Sequence, residues 1–258
     1  DIDPAEINKT IAVDAPVVGN IKDIFGQLLP KVKQKTHLEW LQHIEHLKAE
    51  HPSLRIPESD RLMGQHVVKA LSDVTKGEAI ITTGVGQHQM WAAQHYQFKN
   101  ANSWLSSGGA GTMGYEVPSA IGAQVGNPDK LIWSICGDGG FQMTLMELAT
   151  AVENNLPVKY AIMNNNHLGM ITQWQDFFYE GDFQAETYTA NPDFVKLAEA
   201  YGMKGIRVTK QDELESAIAE ANAHDGPVIV DFVIEKVDDL YPMIPAGQSV
   251  EELIEEPN

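Results

Sequence analysis

Three short stretches of this chain are apolar on both alternating faces almost throughout: Leu131-Ile132-Trp133-Ser134-Ile135-Cys136, Val158-Lys159-Tyr160-Ala161-Ile162-Met163 and Val228-Ile229-Val230-Asp231-Phe232-Val233. Such a strand is stable where helices cover both sides of its sheet, which is the situation of a buried parallel sheet. The text between them agrees. A helix over 61–72 precedes the strand Ala79-Ile80-Ile81-Thr82-Thr83, further helices are expected at 118–123, 144–154, 194–201 and 211–223, and a short strand at 204–208. The expected fold is a doubly wound, mostly parallel α/β domain over 58–235. Ligands of such folds sit beyond the carboxyl ends of the strands, so the loops after Thr83, Cys136 and Met163 are the places for chemistry.

The text outside that domain has another character. Residues 1–30 give a short apolar stretch and a helix at 21–29 opened by Asn20 as N-cap, and read as the remnant of a preceding domain. Residues 31–57 are polar and rich in His, Lys and Glu, with a helix at 36–49 placing Leu38, Leu41, Ile44 and Leu47 on one side, and Pro52 and Pro57 marking a connection. They read as a helical linker, and 236–258 as a C-terminal tail. The chain opens at Asp1-Ile2-Asp3-Pro4 without an initiator methionine, so the expectation is a piece of a longer polypeptide.

Charge and cysteine content narrow the function. Asp and Glu outnumber Lys and Arg 36 to 18, a formal charge of -18, and such a surface repels phosphate backbones; nucleic-acid binding is disfavoured. A phosphorylated cofactor still fits, provided local amides or a metal ion offset its charge. The single cysteine, Cys136, excludes an internal disulfide and an all-cysteine zinc site, and its place inside a strand points to burial. No apolar run reaches membrane-spanning length, and the expectation is a soluble intracellular protein.

The strand ending at Cys136 runs into Gly137-Asp138-Gly139-Gly140, and the next strand ends before Asn164-Asn165-Asn166-His167. Glycines there allow a sharp turn and expose amide N–H groups to an anion, with a helix amino end behind them. Asp138 adds a hard oxygen of the kind Mg²⁺ needs, and Asn165 offers a neutral carbonyl oxygen. If the two strands are neighbours, both lie side by side at one edge of the sheet. Taken alone, Gly-Asp-Gly is as readily an ordinary turn, with the asparagines filling a loop. The joint pattern is far more specific: strand, Gly-Asp-Gly, helix, Pro, strand, Asn-Asn, with 27 positions from Asp138 to Asn165.

That pattern resembles the signature of thiamine-diphosphate enzymes. Gly86-Gln87-His88-Gln89-Met90-Trp91, Ser107-Gly108-Gly109-Ala110-Gly111-Thr112-Met113-Gly114 and His167-Leu168-Gly169-Met170 with Gln173-Trp174 are similar, more narrowly, to acetohydroxyacid (acetolactate) synthase, in its diphosphate-binding (PP-type) C-terminal domain. The resemblance implies thiamine diphosphate and Mg²⁺ as cofactors. It puts Gln87 and His88, in the loop after the first strand, on the diphosphate with the backbone of Gly139 and Gly140. Asp138, Asn165 and the backbone carbonyl of His167 would bind the metal. Met113 would sit beneath the cofactor and force its bent form, while Met170 and Trp174 would line the substrate side, Trp174 being otherwise a packing or interface residue. The reaction it implies is condensation of two pyruvates, or of pyruvate and 2-ketobutyrate, with loss of carbon dioxide through a hydroxyethyl carbanion.

The same resemblance implies a homodimer or larger assembly. The glutamate that activates the pyrimidine ring comes from a partner subunit's amino-terminal domain in that family, none of the glutamates here has its context, and Glu147 is not a substitute. This chain alone is therefore expected to show little turnover. FAD and a small regulatory subunit accompany some members. Bacterial cytoplasm is the expected location, with an organelle as the alternative. Two departures stand out: Glu116 where a glycine is common, expected to alter close packing near the cofactor helix, and Ala246 in place of a tail serine. Competing readings are another thiamine-dependent 2-keto acid decarboxylase, carboligase or oxidase, and a non-catalytic assembly domain.

Other signals are weaker. Gly109-x-Gly111-x-x-Gly114 has the spacing of a dinucleotide fingerprint, but Trp104-Leu105-Ser106-Ser107 is a poor strand to precede it and the acidic ribose partner is not well placed. His37, His43 and His46 are unevenly spaced in the linker helix and read as a solvated face rather than a metal site.

Overall fold

A computed structural model of the chain describes residues 1–56, 58–187, 190–236 and 239–255. Pro57 of the expected connection lies outside them. The chain divides into two compact units, Asp1–Pro52 and Ser53–Asn258. The first carries α1 (Ile21–Leu28) and α2 (Leu38–Glu50). Asn20 caps α1 by accepting from the Lys22 N–H at 2.9 Å, which satisfies one of the unpaired amides of the first turn. Neither helix buries a residue, and His37, His43 and His46 are exposed.

In the second unit the elements run α3 (Gly64–Thr75), β1 (Ile80–Thr83), α4 (Gln87–His95), β2 (Trp104–Ser106), α5 (Glu116–Gly126), β3 (Ile132–Gly137), α6 (Asp138–Met143), α7 (Leu148–Glu153), β4 (Lys159–Asn164), α8 (Gly169–Phe178), α9 (Phe194–Ala200), β5 (Lys204–Val208), α10 (Leu214–Asn222) and β6 (Val228–Val233). Among the described residues the six strands form one sheet in the order β2-β1-β3-β4-β6-β5, every pairing parallel. This is the doubly wound α/β fold expected from the strands' apolarity. Alternate residues of each strand feed two cores. Ile81, Trp133, Ile135, Val230 and Phe232 pack with α3, α4 and α10, whereas Ile80, Ile132, Cys136, Tyr160, Ile162 and Ile229 pack with α5, α6, α7 and α9. Both faces are dry, so side chains pointing either way are apolar or, like Thr82, Ser134, Lys159 and Asp231, hydrogen-bonded.

Local differences from expectation have physical causes. Trp104–Ser106 does form a strand, a three-residue one at the sheet edge, where pairing with β1 alone suffices and the side chains stay partly exposed. The expected helix at 144–154 begins earlier, at Asp138, and is interrupted at Thr144, whose hydroxyl donates to the Gly114 carbonyl at 2.8 Å. Glu147 lies in the 3-10 turn Leu145–Glu147 between the two halves.

Chain order places the site. From β1 the chain goes to β2 on one side and then crosses back to β3 on the other, so the connections diverge around β1 and β3. A crevice opens at the carboxyl ends of strands where that happens.

Candidate functional site

A cavity of about 280 Å³ occupies that crevice. Its wall comes from 85–88 after β1, from Gly111 and Met113 after β2, from 137–140 after β3, and from Met163, Asn165 and 167–171 after β4. Helices α4, α6 and α8 all begin in this wall, at Gln87, Asp138 and Gly169. Each brings unpaired amide N–H groups and the positive end of its dipole. No Lys or Arg is among the described residues that line the cavity. An anion bound there has to be compensated by amides, helix ends or a metal ion, and that is how a chain of formal charge -18 can offer an attractive field locally.

Residues 137–140 and 163–167 form one corner. β3 and β4 pair in parallel with Gly137 opposite Met163, which sets Asp138 and Asn165 side by side at adjacent strand ends. Asp138 is 2% exposed. Its Oδ1 accepts from the Gly139 N–H at 2.8 Å, and its Oδ2 accepts from the Asn166 N–H at 2.8 Å and from Asn191 Nδ2 at 2.7 Å. Burial pushes its carboxyl up to about 6, against the pull of these donors, led by Asn191. Asn165 Oδ1 accepts from the His167 N–H at 3.0 Å, and the Asn165 carbonyl lies 2.9 Å from His167 Nδ1.

The opposite wall is α4. Gln87 and His88 stand on its first turn rather than in a loop, and both are buried. Gln87 Nε2 donates at 2.9 Å to Oε1 of Gln173, a fully buried residue of α8, and Gln173 in turn bonds both backbone groups of Leu240 at 3.0 Å. A Cβ at Gly169 would overlap Gln87 Oε1, so a larger residue there would have to displace that amide. His88 is wholly buried, and desolvation lowers its imidazole to about 4, so the ring is neutral at pH 7. Its Nε2 has no hydrogen-bond partner among the described residues. A buried polar nitrogen left unpaired costs about 1–3 kcal/mol.

Met113 and Met170 are half-buried and line the cavity, where Val85, Trp91, Met163, Leu168 and Ile171 add to its apolar wall. Trp174, one turn beyond Met170 on α8, is not among the lining residues. It is 40% exposed and meets Phe178 edge to face with ring centroids 5.6 Å apart.

Behind the corner lies Glu116, fully buried on the first turn of α5. Its carboxyl is wedged between Gly84 and Gly140, where a Cβ on either glycine would overlap it, so the packing of α5 beside the start of α6 is built around this side chain. Neither oxygen has a well-formed hydrogen bond, and burial raises the group from 4.5 to about 7, the N–H groups of Glu116 and Gly114 pulling weakly the other way. Between pH 4.5 and about 7 the unfolded chain releases this proton while the folded one keeps it. Stability therefore falls as pH rises through that window, by on the order of 3 kcal/mol, and levels off above it. Glu116→Gln should abolish that part of the fall, seen as the difference between urea-denaturation profiles of variant and wild type from pH 4 to 8. Superimposable profiles would contradict the assignment.

Gln142 and Asn191 are site residues that sequence reasoning did not single out, and Gln173 stood there only as part of a motif, without its bond to Gln87. Asn191-Pro192-Asp193 carries the mark of a helix start, and Asp193 does cap α9 by accepting from the Val195 N–H at 3.1 Å and the Lys196 N–H at 3.2 Å. Nothing in that signal tells that Asn191 reaches Asp138.

Comparison with known proteins gives a consistent picture. Residues 84–232 match the family model described as thiamine pyrophosphate enzyme, C-terminal TPP binding domain. The chain is 43% identical to the mitochondrial acetolactate synthase catalytic subunit of Saccharomyces cerevisiae, over 98% of this chain and 38% of the yeast protein. It is 44% identical to the acetolactate synthase large subunit of Corynebacterium glutamicum, over 96% of this chain and 42% of that protein. With the chloroplastic acetolactate synthase 1 of Nicotiana tabacum the identity is 40%, over 99% of this chain and 40% of the tobacco protein. The chain thus spans about two fifths of the length of these relatives.

Proposed function

Because this chain belongs to the thiamine pyrophosphate enzymes, through their C-terminal TPP binding domain, we propose that it is the part of an acetolactate synthase that holds the cofactor's diphosphate and its metal ion. The observation that carries the reading is the common cavity lined by Asp138, Asn165 and the neutral His88. The residues present fit the cofactor. A buried carboxylate and an amide oxygen suit a hard cation, and a neutral imidazole with amide N–H groups suits phosphate oxygens.

In this reading Asp138, Asn165 and the backbone carbonyl of His167 take Mg²⁺, while Gln87, His88, Gly139 and Gly140 hold the diphosphate. Met113 supports the cofactor's bent shape from below. Met170 faces the keto acid substrates, with Trp174 farther along the same helix at the rim. Thiamine diphosphate, when bound, supplies the electron sink that decarboxylation of a 2-keto acid requires. Chain residues contribute position and a dry wall: Gln173 fixes the Gln87 amide, and Asp138 supplies the negative charge that the metal balances. The substrates are pyruvate and 2-ketobutyrate. The working assembly is a homodimer or larger, in which a partner subunit's amino-terminal domain brings the activating glutamate. FAD and a small regulatory subunit go with an anabolic member, and bacterial cytoplasm or an organelle is the location that fits.

The test is a product assay. The chain is mixed with the amino-terminal part of the Corynebacterium glutamicum large subunit, pyruvate, 2-ketobutyrate, thiamine diphosphate and Mg²⁺. Acetolactate and acetohydroxybutyrate are expected from the mixture, with little from this chain alone. Acetaldehyde as the main product would point to a decarboxylase, and cofactor uptake with no product at all to an assembly domain. Rapid synthase turnover by the chain alone would contradict the divided site.

A further inference from the structure

The Asp138 carboxylate is not oriented by its own strand alone. The Asn191 amide donates from Nδ2 to Asp138 Oδ2 at 2.7 Å and to Asn164 Oδ1 at 3.1 Å, and its Oδ1 accepts from Gln142 Nε2 at 3.0 Å. Exchanging the ends of that amide would turn its oxygen toward two acceptors and its nitrogen toward a donor. Only one orientation satisfies all three neighbours.

The loop carrying Asn191 is itself pinned. Asn164 Nδ2 donates to Asp231 Oδ1 at 2.9 Å, Arg207 Nε donates to Asp231 Oδ2 at 3.0 Å, and Arg207 Nη2 donates to Asp193 Oδ1 at 2.6 Å. These contacts close a ring from Asn191 through Asn164, Asp231, Arg207 and Asp193, returning along the chain through Pro192. The ring is anchored on β4, β5 and β6 and on the start of α9. Asp231 is 1% exposed, so its bond to Asn164 is shielded from competing water.

The consequence falls on single atoms of Asp138. With the Asn166 N–H and the Asn191 amide both on Oδ2, that oxygen has its lone pairs filled, whereas Oδ1, bonded to the Gly139 N–H, keeps one to give. We propose that Asn191 is a positioning residue that locks the rotation of the Asp138 carboxylate and so presents Oδ1 to a divalent cation. The proposal rests on the functional reading above and adds to it the residue on which metal affinity depends without touching the metal. Mg²⁺ demands near-ideal octahedral geometry, so a carboxylate free to turn binds it more weakly. Partners that orient a ligand typically account for about 10- to 100-fold in metal affinity.

The experiment is a calorimetric titration of the chain with Mg²⁺ at a fixed excess of thiamine diphosphate. Asn191→Ala is expected to weaken Mg²⁺ binding about 10- to 100-fold. Gln142→Ala, which frees the far end of the amide and removes the bond from Gln142 Nε2 to the Asp138 backbone carbonyl at 3.1 Å but leaves both donors on Oδ2, is expected to weaken it less. Thermal unfolding without metal and cofactor should shift little in either variant, which separates orientation of a ligand from upkeep of the fold. Unchanged Mg²⁺ affinity in Asn191→Ala beside normal wild-type binding would overturn the proposal alone. A loss of affinity that merely follows a loss of thermal stability would overturn it as well. A wild-type chain that takes up no Mg²⁺ would bring down the functional reading and this proposal with it.

Discussion

Replacing Asp138 by alanine should abolish Mg²⁺-dependent binding of thiamine diphosphate, weakening it by at least about 100-fold, while the fold survives. Removal of a ligand itself exceeds the 10- to 100-fold loss typical of a residue that only orients one. The effect is large because among the described residues lining the cavity this is the one carboxylate, and none of them is a Lys or Arg with which to hold a diphosphate in the metal's absence. The fold survives for a different reason. Asp138 is buried with its carboxyl pushed up to about 6, so it is a burden on the apo protein as much as a support. Its loss strands the N–H groups of Gly139 and Asn166 and the Asn191 amide, at about 1–3 kcal/mol, within reach of water entering the open cavity. Quenching of tryptophan fluorescence on cofactor addition measures the affinity, since Trp91 lines the cavity, and far-ultraviolet circular dichroism checks the fold. Wild-type-like affinity in Asp138→Ala would remove the metal site from the account.

Truncating Phe141 to alanine should destabilise the domain by about 3–5 kcal/mol. Phe141 is fully buried on α6, edge to face with Tyr160 at 6.0 Å and with Phe194 at 5.8 Å between ring centroids. It joins α6 to β4 and α9 inside one core. A six-residue helix has almost no stability of its own, because nucleation is unfavourable and few hydrogen bonds repay it. The ring, and not the intrinsic propensity of Asp-Gly-Gly-Phe-Gln-Met, holds the amides of Gly139 and Gly140 at the cavity. Urea denaturation at pH 7 should therefore show a lower midpoint with little change in slope, accompanied by weaker cofactor binding. A loss below about 1 kcal/mol would mean that the core refills the space and that α6 is secured by other contacts.

What the sequence made legible follows from the same physics. β3, β4 and β6 are dry on both faces, so most of their residues are apolar whichever way they point, the buried Ser134, Lys159 and Asp231 each being hydrogen-bonded, and they stood out. β2 did not, because a three-residue edge strand with one partner has neither length nor pattern to announce it. The α4 helix escaped for a reason tied to function: its amino end turns the polar side chains Gln87 and His88 into the interior, which erases the apolar stripe by which a helix is recognised. Asp138 and Asn165 were visible as a spaced pair, and the adjacency of their strands supplied what the spacing alone lacked. Asn191 lies 53 residues from Asp138, and its contact depends on a ring of side chains crossing three strands. No local pattern encodes that. Glu116 could be marked as unusual from its neighbours, but that it is enclosed without a well-formed hydrogen bond among the described residues needed the positions of Gly84 and Gly140.

A crystal of the chain grown with thiamine diphosphate and Mn²⁺, the metal located by its anomalous scattering, tests the central claim most directly. The account predicts one strong peak bonded to an Asp138 carboxylate oxygen and to Asn165 Oδ1, with diphosphate oxygens completing its coordination. A metal peak elsewhere, or a diphosphate seated in the cavity with no ion between it and Asp138, would contradict it.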